Sequence, residues 1–208
     1  MNDIPHPEAP VNRRGRLQLL MLALVFAAPV IAAWVAWQYV GTHGVDQTSN
    51  AGHLVVPVRP LTAAGLQGPD GRPLADTLLR GRWTYVILAP DGCGELCQRQ
   101  LTETRQVRVS VNKDMPRVQR LLLLRAAPSE QTLQTLRQAH PELQIALASD
   151  GVAPPLEVQV GAAGVPADGA HFALVDPLGN LMMTYGPDVP MKGVLKDLRK
   201  LLKASQIG

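Results

Sequence analysis

Cysteine is nearly absent from this chain: 208 residues contain two, Cys93 and Cys97. That excludes a disulfide-rich scaffold and any four-cysteine zinc or iron–sulfur centre within one chain. Aromatics are scarce at 4%, too few for a broad surface on which bases or sugars stack. Charge is also modest. Charged residues make up 18% and the net charge is +3, so the sequence carries no basic patch of the kind that binds nucleic acid. What is abundant is apolar surface. A hydrophobic share of 46% excludes disorder, and 18 Gly and 18 Pro without a three-residue period exclude a collagen helix.

The apolar residues are unevenly spread. From Leu19 to Trp37 every side chain is apolar, and no charged residue falls between Arg16 and Asp46. A run of roughly 20 apolar residues, rising ~1.5 Å each, crosses the ~30 Å hydrocarbon core of a bilayer. Pro29 sits mid-run, which membrane helices tolerate. Trp34, Trp37 and Tyr39 cluster at its far end, where an interfacial aromatic belt belongs. Arg13, Arg14 and Arg16 precede the run, and no Lys or Arg follows until Arg59. The positive-inside rule therefore places the N-terminus in the cytoplasm and the remainder outside it. A cleaved signal peptide is the competing reading. Its apolar core is shorter, about 7–15 residues, and the best cleavage position here, after Ala33, has the large Ile31 at −3. The sequence thus predicts a cytoplasmic tail over 1–16, a transmembrane anchor over 17–40, a Gly/Ser/Asn/Thr-rich linker over 41–52 and one domain over 53–208.

Within the domain, apolar runs alternate in period. Trp83 to Ala89 and Val118 to Leu124 read as buried strands, and Leu143 to Ala148 as a shorter one. Cys97 to Val111 holds no Gly or Pro and predicts a helix. Ser129 reads as an N-cap ahead of Leu133 and Leu136, with Pro141 stopping that helix. His171 to Asp176 and Leu181 to Tyr185 flank a DPLGN turn and predict a hairpin. Met191, Val194, Leu195, Leu198, Leu201 and Leu202 form the apolar stripe of a last helix. The order β-α-β-α-β-β-β-α predicts an α/β domain and resembles that of a thioredoxin-like one, with parallel strands first and the hairpin supplying the antiparallel part.

Cys93-Gly94-Glu95-Leu96-Cys97 joins the first buried strand to the first helix, at the carboxyl end of a central strand. Free N–H groups and partial positive charge at a helix N-terminus favour thiolate over thiol. Two sulfurs four residues apart meet across one turn. They suit a redox-active disulfide, a soft ion such as Cu(I), or a structural disulfide in an oxidising compartment. So short a loop stabilises a fold little, which weighs against the last of these. Asp91 and Glu95 bracket Cys93 and oppose the helix field. Arg99, Arg105, Arg108, Arg117 and Arg120 enrich the middle of the domain and read as a solvated face, with a docking face for an acidic partner or lipid headgroups as the alternative. Met182 and Met183 read as strand residues.

The stretch from about Leu61 to Ala204 resembles the Sco/SenC family. The matching segments are GPDGRPLADTLLRGRWTYVILAP, CGELC, RVQRLLLLRAAPSEQTLQTLRQAHPELQIALA and HFALVDPLGNLMMTYG. The resemblance implies a thioredoxin fold, a single N-terminal anchor in the bacterial inner membrane, and a periplasmic domain. It further implies work in cytochrome c oxidase assembly, with copper, thiol redox chemistry or both handled at the C-x3-C pair. Partners would be the lipid bilayer and an oxidase subunit or another assembly factor. Cys93 and Cys97 match the family's cysteines, as catalytic residues and as metal ligands. The flanking prolines are replaced by Gly94 and Gln98. Where the family places its third ligand, a His, this chain has Asp168, and His171 three residues later is the candidate metal ligand. The alternatives are a general periplasmic thiol–disulfide oxidoreductase and a non-catalytic, oxidase-associated module. A standard thioredoxin would have C-x2-C and a cis-proline before the hairpin, where Ala170 stands.

Overall fold

A computed structural model describes residues 13–43, 50–148 and 156–205. Residues 1–12 of the predicted tail and residues 44–49 of the predicted linker lie outside them. The chain divides into two compact units, Met1–Thr48 and Ser49–Gly208.

The first unit is a single helix, α1 (Arg13–His43), 31 residues long. It exceeds the predicted anchor at both ends, because Arg13 to Arg16 and Gly41 to His43 continue the helical backbone. Its stretch Arg14–Gln38 is long and apolar enough to cross a membrane, with Pro29 accommodated inside it. Large side chains such as Leu20, Phe26 and Trp34 are exposed all around it. A helix apolar on every side is suited to lipid rather than water.

The second unit is one seven-stranded sheet with helices on both faces. Its strands are β1 (His53–Pro60), β2 (Leu66–Gln67), β3 (Trp83–Leu88), β4 (Val118–Leu124), β5 (Leu143–Ala148), β6 (Phe172–Val175) and β7 (Asn180–Tyr185), in the order β1-β7-β6-β3-β4-β5-β2. β3, β4 and β5 pair in parallel. β6 runs antiparallel to β3 and forms the hairpin with β7. Every residue of β3, β4 and β6 is buried, which is why those segments read as largely apolar runs rather than alternating ones.

Alternation along β3 sends its side chains to two cores. Tyr85 and Ile87 pack with Leu101 of α2 (Glu95–Ser110), Leu136 of α3 (Glu130–Ala139) and Leu198 of α5 (Met191–Ala204). Val86 and Leu88 pack on the opposite face with Leu121, Leu123 and Val160 of α4 (Leu156–Gly161). Ser129 caps α3 as predicted, its hydroxyl accepting from the Thr132 N–H at 3.2 Å. The hairpin turn is held by Asp176, whose carboxylate accepts from the N–H groups of Leu178 and Asn180.

Four elements depart from the sequence reading. β1 is an edge strand with mostly exposed side chains and prolines at 57 and 60, so it shows no alternation. β2 has two residues, α4 has six, and a 3-10 helix over Asn112–Arg117 fills the turn into β4. The site depends on none of these four. Helix α2, however, begins at Glu95, two residues before the predicted start, and so takes Cys97 into its first turn.

Candidate functional site

β3 lies near the middle of the sheet, between β6 and β4, and its carboxyl end delivers the chain to the site. Ala89 to Gly92 turn it, with Gly92 at φ 106° and its N–H on the Ala89 carbonyl. Gly94 then caps α2 without any side-chain hydrogen bond, so the first N–H groups of the helix keep their positive potential at this corner.

Cys93 and Cys97 form a disulfide, with Cα atoms 5.1 Å apart. The two sulfurs differ in access. Cys97, in the first turn of α2, is 1% exposed and belongs to the core, whereas Cys93 is half-buried at the surface. Gln98 donates its side-chain amide to the Cys93 carbonyl at 3.4 Å. Asp91 is turned to Arg125, 3.5 Å away and exposed, where it does little to the pair.

A second loop closes on the pair from the β6 side. The Gly169 N–H donates to the Leu88 carbonyl at 2.8 Å, at the end of β3. Gly169 sits at φ +72°, and a Cβ on it would lie 2.9 Å from the Cys97 Cβ. Glycine is required twice over here, by the left-handed backbone and by the contact. Asp168 ties this loop. Its Oδ1 accepts from the N–H groups of Ala170 and His171, both at 2.9 Å, and its Oδ2 lies 2.8 Å from His171 Nδ1. Partial burial would raise the Asp168 carboxyl, but these donors outweigh it and hold it below the usual carboxylate range.

The structure therefore joins the two predicted cysteines and sets the Asp168–His171 pair on the neighbouring loop. It does not assemble the predicted metal set of Cys93, Cys97 and His171. The sulfurs are bonded to one another, His171 Nδ1 is engaged by Asp168, and His171 lies just outside β6, its Nε2 facing Gly186. Among the described residues no group of three or more His, Cys, Asp or Glu side chains can hold a metal ion. In this disulfide form the donor set does not fit copper. The described residues also carry no cis peptide at Pro166; the cis bond is Val56–Pro57, in β1.

The reading of Arg120 as part of a solvated face is corrected. It stands in the middle of β4, fully buried, donating to the Leu101 carbonyl and to Glu142 Oε1 at 2.6 Å. Burial lowers its pKa, and Glu142 works against that shift. Its position inside VQRLLLL, a run with every residue buried, was the available signal. Arg117 holds the carbonyls of Leu202 and Ser205 at the end of α5. Met183 is core and Met182 partly so, as predicted.

The family model for the transmembrane-like, thioredoxin-like, C-terminal domain matches residues 83–205. No curated protein matches in sequence. Among solved structures, apo Sco1 from Thermus thermophilus aligns at 19% identity and a TM-score of 0.56, covering 76% of this chain and 99% of that one. Yeast Sco1 aligns at 17% identity and a TM-score of 0.54, covering 70% and 94%. A SCO1/SenC family lipoprotein from Bacillus anthracis aligns at 16% and 0.51, covering 70% and 96%. At these identities the likeness is one of fold.

Proposed function

The chain belongs to the family of transmembrane-like, thioredoxin-like C-terminal domains, and from that premise we propose that it is a membrane-anchored, Sco-like thiol–disulfide protein that serves the assembly of a respiratory oxidase. The observation that carries this reading is the Cys93–Cys97 disulfide, with one sulfur accessible and the other buried, at the open end of a central strand. In the reduced pair, the Cys93 thiolate attacks a client disulfide and forms a mixed disulfide, releasing one client thiolate. The Cys97 thiolate then attacks Cys93 Sγ, the mixed bond breaks, and the second client sulfur leaves and takes a proton from water. Two electrons pass from the pair to the client, and a dithiol donor restores the pair. The uncapped start of α2 favours thiolate at both steps.

The client class is a cysteine-bearing copper site of the oxidase, as the Sco/SenC resemblance implies. The apolar helix α1 anchors the domain in the bacterial inner membrane. The arginines at 13, 14 and 16 keep its start in the cytoplasm and leave the domain in the periplasm. Anchoring raises the effective concentration of the pair at the oxidase.

The test replaces both cysteines by serine in the host. Oxidase activity should fall while the amount of this protein is maintained; normal activity would overturn the reading. A midpoint potential of the purified chain well below roughly −300 mV would identify a structural disulfide instead. Titration of the reduced chain with Cu(I) against a chelator decides whether copper is also its cargo, with Cys93→Ser and His171→Ala in parallel.

A further inference from the structure

Cys93 does not open onto a flat surface. Two cavities of about 550 and 490 Å³ meet at it and share Cys93, Thr132 and Leu136 in their walls. Together they form one trough that runs between α2 and α3, past the sulfur, and on beside the loop from β4 to α3. Its floor is apolar at Leu136. Its banks carry amides and hydroxyls: Gln98 and Thr102 from α2, Gln131 and Thr135 from α3. Such banks match the alternating N–H and C=O groups of an extended backbone.

The two ends differ in charge. Near Pro128, Arg125 is neutralised by Asp91 and Glu157. At the other end Arg105 is exposed and makes no ion pair with any described residue. Arg108 adds positive potential there, while Glu142 and Arg120 offset one another as a bonded pair. Gln98, Thr102 and Arg105 lie at i, i+4 and i+7, one stripe along α2. From Gln98, whose amide touches Cys93, to Arg105 is ~10 Å of helix, a distance that about three extended residues cover.

We propose that this trough docks an extended client segment that brings a cysteine to Cys93 and places an acidic side chain about three residues away, at Arg105. The proposal rests on thiol exchange at Cys93 and names the client sequence that exchange selects.

The test uses the full-length chain in nanodiscs, reduced, with Cys97→Ser so that Cys93 is its only thiol. The probes are peptides whose central cysteine is joined to 2-thiopyridine. The Cys93 thiolate attacks the peptide sulfur, the S–S bond breaks, and pyridine-2-thione leaves with the electron pair and is read by its absorbance. Glu or Lys stands three residues before or after the cysteine, and 2,2′-dithiodipyridine is the small reference disulfide.

In one of the two orientations the Glu peptide should react about fivefold faster than its Lys counterpart, the size expected of a partly exposed ion pair. Salt should erase the difference. Arg105→Gln should lower the ratio of the Glu-peptide rate to the small-disulfide rate by a similar factor. Equal rates for Glu and Lys in both orientations, or an unchanged ratio in Arg105→Gln, would overturn the docking proposal. Inertness of Cys93 toward the small disulfide as well would instead overturn the thiol-exchange reading.

Discussion

Gly169→Ala isolates the contact between this loop and the cysteine pair. Two effects operate there. The residue sits at φ +72°, a left-handed backbone in which a Cβ costs about 1–2 kcal/mol. The new Cβ would also lie 2.9 Å from the Cys97 Cβ, nearer than real Cβ atoms come, and forced overpacking of that kind costs about 1–3 kcal/mol. Gly164 supplies the control. It has φ +83° and nothing within 4 Å of a built Cβ, so Gly164→Ala reports the backbone effect alone. Urea unfolding of the oxidised protein should show Gly169→Ala destabilised by about 2–5 kcal/mol and Gly164→Ala by only about 1–2 kcal/mol. Reduction frees Cys97 to move away from the intruding Cβ, so the disulfide form suffers more. The midpoint potential should therefore rise, by about 30 mV for each 1.4 kcal/mol of difference. Equal destabilisation by the two alanines, or a lower potential in Gly169→Ala, would refute the claim that this loop presses on the pair.

Three further contacts have measurable consequences. Asp197, 1% exposed on α5, accepts from the N–H groups of Ala51 at 2.8 Å and Gly52 at 3.0 Å. Removing two hydrogen bonds to a charged acceptor in Asp197→Ala should lower stability by about 3 kcal/mol and speed hydrogen exchange over residues 51–60. Burial would raise the Glu142 carboxyl, yet its backbone hydrogen bond and Arg120 hold it below its ordinary value. Its folded pKa is therefore the depressed one. Its stabilisation is complete above the unfolded value of about 4.3 and is lost as pH falls through the folded one. Glu142→Gln should lose about 2 kcal/mol near neutrality, a gap to wild type that closes in acid; a gap independent of pH would refute the ion pair. After reduction, a short pulse of iodoacetamide followed by mass spectrometry should find Cys93 alkylated well ahead of Cys97, since only the former is open to solvent.

The central strands were legible because burial on both faces leaves a largely apolar run: Trp83 to Leu88 and Val118 to Leu124 lie where their residues predict them. β1 was not, because an exposed edge strand has no buried side to alternate with, and its prolines read as breaks. The cysteine corner was legible because a strand, a glycine turn and a helix follow one another locally. Arg120 was misread because charge normally signals solvent, while the groups that satisfy it, Leu101 and Glu142, come from other elements. The role of Gly169 was hidden for a similar reason. Its close neighbour is Cys97, far away in sequence, and no local pattern encodes that approach.

The Asp197 clasp also determines how the domain bears tension. A pull applied through residue 50 loads Ala51 and Gly52 on Asp197 first, and then His53, the first rung of the β1–β7 ladder. Force entering an antiparallel ladder at its end opens the rungs one after another rather than all at once. β1 should therefore peel away at low force, while β3, β6 and the cysteine corner, deeper in the sheet, keep their shape. Its eight residues, extended, would add about 26 Å of reach. Optical-tweezer traces should show this as a small early step, abolished as a separate event in Asp197→Ala. Under load the edge strand thus lengthens before the deeper strands and the cysteine corner are disturbed.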